Sequence, residues 1–148
     1  DDAQLAALIT EFYDTVSGPA GPRDWSRERE IFHPAARLMR TGVDEQGTPW
    51  IRVMNVDDYI EDTAPLLAAN DCYEMEVAGA GDRFGSVGQV RSLYEARRSP
   101  DDAEVVKRGV NSIQLFHDGE RWWVVSVLWD NERTGVSVPA EWLSSARQ

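Results

Sequence analysis

Two histidines, one cysteine and a scatter of carboxylates and arginines make up the side-chain chemistry of this sequence. His33 stands between an apolar helix end and Pro34. It reads either as a histidine satisfied at a helix C-terminus or as a general acid or base. His117 precedes Asp118-Gly119, a hairpin turn, and is expected in water. Two histidines this far apart form no chelating pair, and no cysteine cluster or His-Glu-x-x-His helix is present, so no metal is expected. Nothing calls for a cofactor. Cys72 has no partner cysteine and reads as a small buried hydrophobe in a strand, in keeping with a reducing compartment.

The elements that must position these groups follow from apolar spacing and turn chemistry. Leu5, Leu8, Ile9, Phe12 and Val16 form one helical stripe over Gln4–Val16, ended by the Gly- and Pro-rich run 17–22. Asp24 caps a short second helix running to about Phe32, and Pro34 closes it. Ala36–Thr41 and Pro49–Met54 read as a strand hairpin. Asn55 caps a third helix, from Val56 to about Asn70, in which Pro65 predicts a kink or an early end. Then come four strand patterns, Cys72–Ala80, Phe84–Ala96, Val105–His117 and Arg121–Asn131, with turns at 79–82, 99–102 and 117–120. The apolar tail around Trp142 is expected to dock.

Helices followed by a mostly antiparallel meander give an α+β fold. Strands this long twist and curl. Helices laid across the open side of such a sheet enclose a cone, and the wide end of a cone suits a small molecule. With 148 residues, 42% apolar and 28% charged, one globular domain spanning 1–148 is expected. A formal net charge of −11 argues against nucleic acid and membrane surfaces. No apolar run approaches a membrane span and no signal peptide is recognised, so a cytoplasmic location is expected.

The order of these elements, with Phe12-Tyr13 in the opening helix, Ile31-Phe32-His33-Pro34-Ala35-Ala36-Arg37-Leu38, and Phe116-His117-Asp118-Gly119-Glu120-Arg121-Trp122-Trp123-Val124-Val125 at the end, resembles the nuclear transport factor 2-like (SnoaL-like) superfamily. The resemblance implies a cystatin-like fold, a cone-shaped curved antiparallel sheet covered by three N-terminal helices. It is nearly silent about activity, because relatives include ketosteroid isomerase, scytalone dehydratase, limonene epoxide hydrolase, polyketide cyclases and non-catalytic binding modules.

Aligned on that family, the ketosteroid isomerase positions hold Phe12, Arg40 and Ser112, which supply neither its base nor its oxyanion hole. A carboxylate–arginine relay of the epoxide hydrolase kind is incomplete: Asp130 has Arg91 or Arg108 nearby in pattern, but the strand 108–115 carries no acid. No catalytic set is identifiable, and His33 or Asp130 are the groups available for proton transfer. The same alignment points Val110, Ser112, Gln114 and Phe116 into the cone from one strand, Val125, Val127 and Trp129 from the next, Arg40 from the first strand and Tyr59 from the third helix. The opposite parity, with Ile113 and Leu115 inside, fits the alternation equally well. A ligand-binding set of Phe12, Arg40, Tyr59, Ser112, Gln114 and Trp129 follows. Arg40 either selects an anionic ligand or pairs with a neighbouring acid.

Trp122 and Trp123 are adjacent on a strand and so face opposite sides. One belongs to the core, and the other needs cover on the outer sheet face, which together with the family's habit points to a homodimer. The leading expectation is a domain that binds a small, partly apolar molecule. The alternatives are a lyase-, isomerase- or cyclase-type enzyme, and a dimerisation module whose cone is filled by its own side chains.

Overall fold

A computed structural model describes residues 2–144. The opening helix α1 (Asp2–Asp14) buries Leu5, Leu8, Ile9 and Tyr13; of the expected stripe, Phe12 is only half-buried, and Val16 is buried but lies past the helix end. Each such aliphatic side chain contributes roughly 1.5–3 kcal/mol on burial. The second helix is a 3-10 turn, Trp25–Arg27, running into one α-turn, α2 (Glu28–Ile31). The Asp24 carboxylate accepts the Ser26 amide at 3.2 Å and starts it.

Two strands follow, β1 (Phe32–Val43) and β2 (Pro49–Met54). Helix α3 (Val56–Ala69) begins on a capping box. There the Asn55 side chain accepts the Asp58 amide at 2.7 Å, an arrangement that contributes about 1 kcal/mol. Pro65 neither ends nor shortens α3; it sits on the exposed side and the helix continues to Ala69. The long strands are β3 (Tyr73–Phe84), β4 (Val87–Arg97), β5 (Lys107–His117) and β6 (Trp122–Asn131), and the short α4 (Ala140–Leu143) closes the described chain.

All six strands form one curved sheet in the order β2-β1-β6-β5-β4-β3. Every pairing is antiparallel except β1 with β6. Helix α3 comes after the first hairpin, so the three helices do not all precede the sheet. At the narrow end α1, α2 and the inner sheet face meet in a core of Leu5, Leu8, Ile9, Ile31, Phe32, Val90, Ile113, Leu115, Trp122 and Val124.

Two boundaries differ from the sequence reading for clear reasons. Strand β3 runs through Gly79 and Gly81 and turns at Gly85, which has φ 57°. The ladder pairs Gly79 with Ser92 and Gly81 with Val90, so these glycines serve the strand and not the turn. Strand β1 begins at Phe32 and absorbs His33 and Pro34 through an irregularity between Phe32 and Arg37. His33 is therefore a strand residue, not a helix C-terminus.

Gly109 is required by close approach. A Cβ there would lie 2.4 Å from the Asp130 carbonyl oxygen and 2.4 Å from the Tyr94 hydroxyl. The tail docks as expected, with the Arg91 guanidinium 4.0 Å from the Trp142 ring centroid on the outer face.

Candidate functional site

Away from the narrow core, α1, α2, α3 and the inner sheet face stand apart and leave a cavity of about 620 Å³. That lies within the ~300–1,000 Å³ range of small-molecule sites. Its aromatic wall comes from three elements: Phe12 on α1, Tyr59 on α3, and Phe32, Tyr94 and Trp129 on the sheet. Tyr59 meets Trp129 edge-on, with ring centroids 6.2 Å apart.

Strand β5 presents Gly109, Asn111, Ile113 and Leu115 inward, and Ser112 and Gln114 are exposed on the outer face. The parity is thus the second of the two that alternation allowed. Ser112 and Gln114 leave the proposed lining set, since a one-residue choice of register turns a whole strand face over. On β6 the expected Val127 and Trp129 do face inward, but Val125 does not. Gln114 pairs with Ser126 and Leu115 with Val124, so Val125 is the extra residue of a bulge.

Phe12, Arg40, Tyr59 and Trp129 of the expected set line the cavity together. Arg40 bonds to Asp62 on α3, which also meets Arg52 at 3.4 Å. Its guanidinium lies 5.6 Å from the Trp129 ring centroid. Of the two roles foreseen for Arg40, pairing with a neighbouring acid is the one the geometry displays. His33 and Asp130 are not among the lining residues. The His33 Nδ1 accepts the Ala35 amide at 3.0 Å, and its ring packs edge-on against Phe116 and Trp123 on the outer face. Asp130 is bonded to Arg133 at 2.8 Å. Burial works against its charge, but Arg133 and the Asn131 amide prevail and hold the carboxyl below its ordinary range.

Several lining groups escaped the sequence reading. The buried Asn111 amide donates to the Tyr13 hydroxyl at 3.0 Å, and Tyr13 lies 2.8 Å from Ser92 Oγ. Ser92 gives its proton to the Glu76 carboxylate, so Tyr13 must be the donor to Ser92. Tyr94 donates to the Asn131 side chain. Burial raises the Tyr13, Tyr59 and Tyr94 phenols well above the ordinary value, so all three remain hydrogen-bond donors near neutral pH.

Three carboxylates line the cavity without an ion pair among the described residues: Glu28 on α2, Glu74 on β3, and Asp71, which accepts the Ala20 amide at 2.8 Å. Glu28 is only 1% exposed, and its Oε1 has no hydrogen-bond partner. Burial pushes its carboxyl up to about 7, against the pull of the Thr15 hydroxyl and of Arg27. Burial also raises Glu74, opposed by Lys107 at the rim. The sequence held a signal for Glu28: on the short second helix it stands three residues before Ile31, on the same face, and Ile31 is buried. Cys72, half-buried at the cavity margin, keeps its thiol because burial raises it. Among the described residues no group of three or more His, Cys, Asp or Glu is placed to hold a metal ion, and no helix is long and apolar enough to cross a membrane.

No protein-family model and no curated protein matches the sequence. Solved structures do match. A protein of unknown function with a cystatin-like fold from Nostoc punctiforme superimposes with a TM-score of 0.69 at 10% identity, over 90% of this chain and 92% of the other. A nuclear transport factor 2-like protein of unknown function from Pseudomonas putida gives 0.65 at 10% identity, over 94% of each chain. A putative Ca/calmodulin-dependent kinase II association domain from Exiguobacterium sibiricum gives 0.61 at 11% identity, over 88% and 92%. The chain has the nuclear transport factor 2-like, cystatin-like fold.

Proposed function

We propose that this chain binds a small, partly apolar molecule in the cone of its sheet, as one domain over residues 1–148. The observation that carries this is the roughly 620 Å³ hollow, walled by aromatics from both layers and edged by a few fixed donors and acceptors. A module whose cone was filled by its own side chains would have no such space. The enzyme reading loses both of its named groups, since neither His33 nor Asp130 lines the hollow.

Native mass spectrometry of protein purified without denaturation tests the reading. A retained small molecule, lost on Trp129→Ala, is the expected result. Protein that leaves the column bare and shows no thermal shift with any member of a lipophilic small-molecule panel would end it. Arg40→Ala is expected to lower stability by about 1 kcal/mol through loss of the Asp62 contact.

A homodimer in the cytoplasm belongs to the same reading. The solved association domain of this fold supports assembly, and β2 exposes Trp50, Ile51 and Val53. Trp123 no longer argues for it, because Arg121 stacks on its ring at 3.8 Å and Asp118 accepts its indole N–H at 2.9 Å. Light scattering at micromolar concentration should give twice the chain mass; a single-chain mass would remove the dimer. The lone Cys72 accords with a reducing compartment.

A further inference from the structure

We propose that Glu28 is the anchoring carboxylate of the cavity, and that the molecule it receives is an organic ammonium ion carried on an apolar body. The inference rests on the binding role proposed above and names the class of ligand.

Four observations converge on Glu28. It is 1% exposed, yet its side chain forms part of the cavity wall. Its Oε1 has no partner. The rings of Phe12, Phe32, Tyr59 and Trp129 line the same hollow, and aromatic faces carry the negative side of the ring quadrupole. Lastly, the cations that could neutralise it are engaged or distant. Arg40 is bonded to Asp62, Arg27 is bonded to Glu11, and Arg98 and Lys107 lie exposed at the rim.

A buried carboxylate is costly unless it gains a counter-charge and hydrogen bonds. An ammonium group supplies both, and the surrounding rings favour the same cation. A neutral alcohol or amide would give one hydrogen bond and leave the charge uncompensated. An anionic ligand would meet Glu28 and Glu74 together. The opening near Leu66 and Val106, both exposed and apolar, suits the body of such a molecule.

Binding should release a proton. Without a ligand, burial holds the Glu28 carboxyl up at about 7. A cation against it favours the ionised form, so affinity should rise with pH between about 6 and 8, until the amine itself loses its charge. The titratable and charged groups on the elements around Glu28 are Glu11 and Asp14 on α1, Asp24 and Arg27 in its own turn, Tyr59 and the Asp62–Arg40 pair toward α3, and Glu74 on β3. Arg27 is paired with Glu11, and burial keeps the Tyr59 phenol neutral in this range, so the slope belongs to the two raised carboxyls, Glu28 and Glu74, and the Glu28→Gln comparison isolates the share of Glu28.

Three probes of one shape decide the matter: 4-phenylbutylamine, 4-phenylbutanol and 4-phenylbutyrate, titrated by calorimetry and tryptophan fluorescence. With the wild-type chain the amine should bind at least tenfold more tightly than the alcohol, and the carboxylate most weakly. Glu28→Gln should cut amine affinity tenfold or more and leave the alcohol within twofold. Calorimetry in two buffers of different ionisation heat should show proton release for the wild type at pH 7 and clearly less for the variant, in which Glu74 alone remains raised. Circular dichroism checks that the variant is folded, and the wild-type pH slope tests the idea without any substitution. Equal binding of amine and alcohol, or an unchanged amine affinity in Glu28→Gln, would overturn the assignment while leaving the binding role standing. Failure of all three probes would overturn the assignment and count against the binding role as well.

Discussion

On the convex face of the sheet, Glu95 is held between Arg97 at 2.8 Å and Arg108, Asp130 is held by Arg133, and Arg91 lies over the Trp142 ring. On the concave face, Glu28 and Glu74 border the hollow without an ion pair among the described residues, beside the paired Arg40 and Asp62. The two faces belong to the same strands and alternate residue by residue, with Tyr94 turned in and Glu95 turned out. Charge outside is matched and serves the sheet. Inside, Glu28 is shut from water with no counter-charge, and its carboxyl is shifted toward the neutral form.

The contrast gives the two faces opposite pH behaviour, and the largest expected effect tests this on the concave side. Glu28 is raised on folding, so the native state favours its protonated form. Its favourable contribution is complete below the ordinary carboxylate range and is lost as pH rises through about 7. Glu28→Gln should therefore gain stability relative to wild type on going from pH 5 to pH 8, by on the order of 2–3 kcal/mol, read from urea unfolding at the two pH values. A constant difference between variant and wild type would break the contrast.

Glu95→Ala comes next and runs the other way. Burial opposes the Glu95 charge, but Arg108 and Arg97 outweigh it and lower the carboxyl on folding. Its contribution is present above the ordinary carboxylate range and lost as pH falls through the lowered value. The substitution should cost about 2 kcal/mol at neutral pH, and less in acid, where the wild type has lost the interaction too. A loss that grew in acid would refute the assignment of Glu95 as a paired, structural carboxylate.

Tyr13→Phe probes the satisfied part of the concave face. It removes the hydroxyl that links Asn111 to Ser92, and should cost about 1–1.5 kcal/mol by thermal or urea unfolding. Smallest of all, Ser112→Ala and Gln114→Ala should change stability by less than about 0.5 kcal/mol and leave ligand retention untouched, because both side chains are exposed on the outer face. A lost ligand in either variant would mean that the strand faces are assigned the wrong way round.

How much was legible varied with the range of the forces involved. The stripe of α1, the Asn55 cap of α3, the bounds of β2 and the Asp118-Gly119 turn were readable because each depends on neighbours a few residues away. Pro65 does not bring the early end it allows: on an exposed helix face the lost backbone bond does not stop α3. Gly79 and Gly81 were taken for a turn because glycine marks turns and close strand approaches alike, and only pairing with β4 separates the two. In the candidate site, Phe12, Arg40, Tyr59 and Trp129 were foreseen at the cavity, Ser112 and Gln114 were misplaced, and Glu28, Glu74 and Asn111 were missed. A glutamate beside apolar residues on a single turn looks like a solvated one until the packing around it is known.

The chain's own order of residues determined the fold class, the alternating faces of its strands and where most elements start and stop, since periodicity and capping are local properties. It did not determine which face of β5 looks into the hollow, where the β6 bulge resets the alternation at Val125, or that Glu28 is shut away from water. Those outcomes depend on contacts between segments distant in sequence. One residue of register reverses a strand, and a carboxylate is buried or solvated according to what the rest of the chain folds over it.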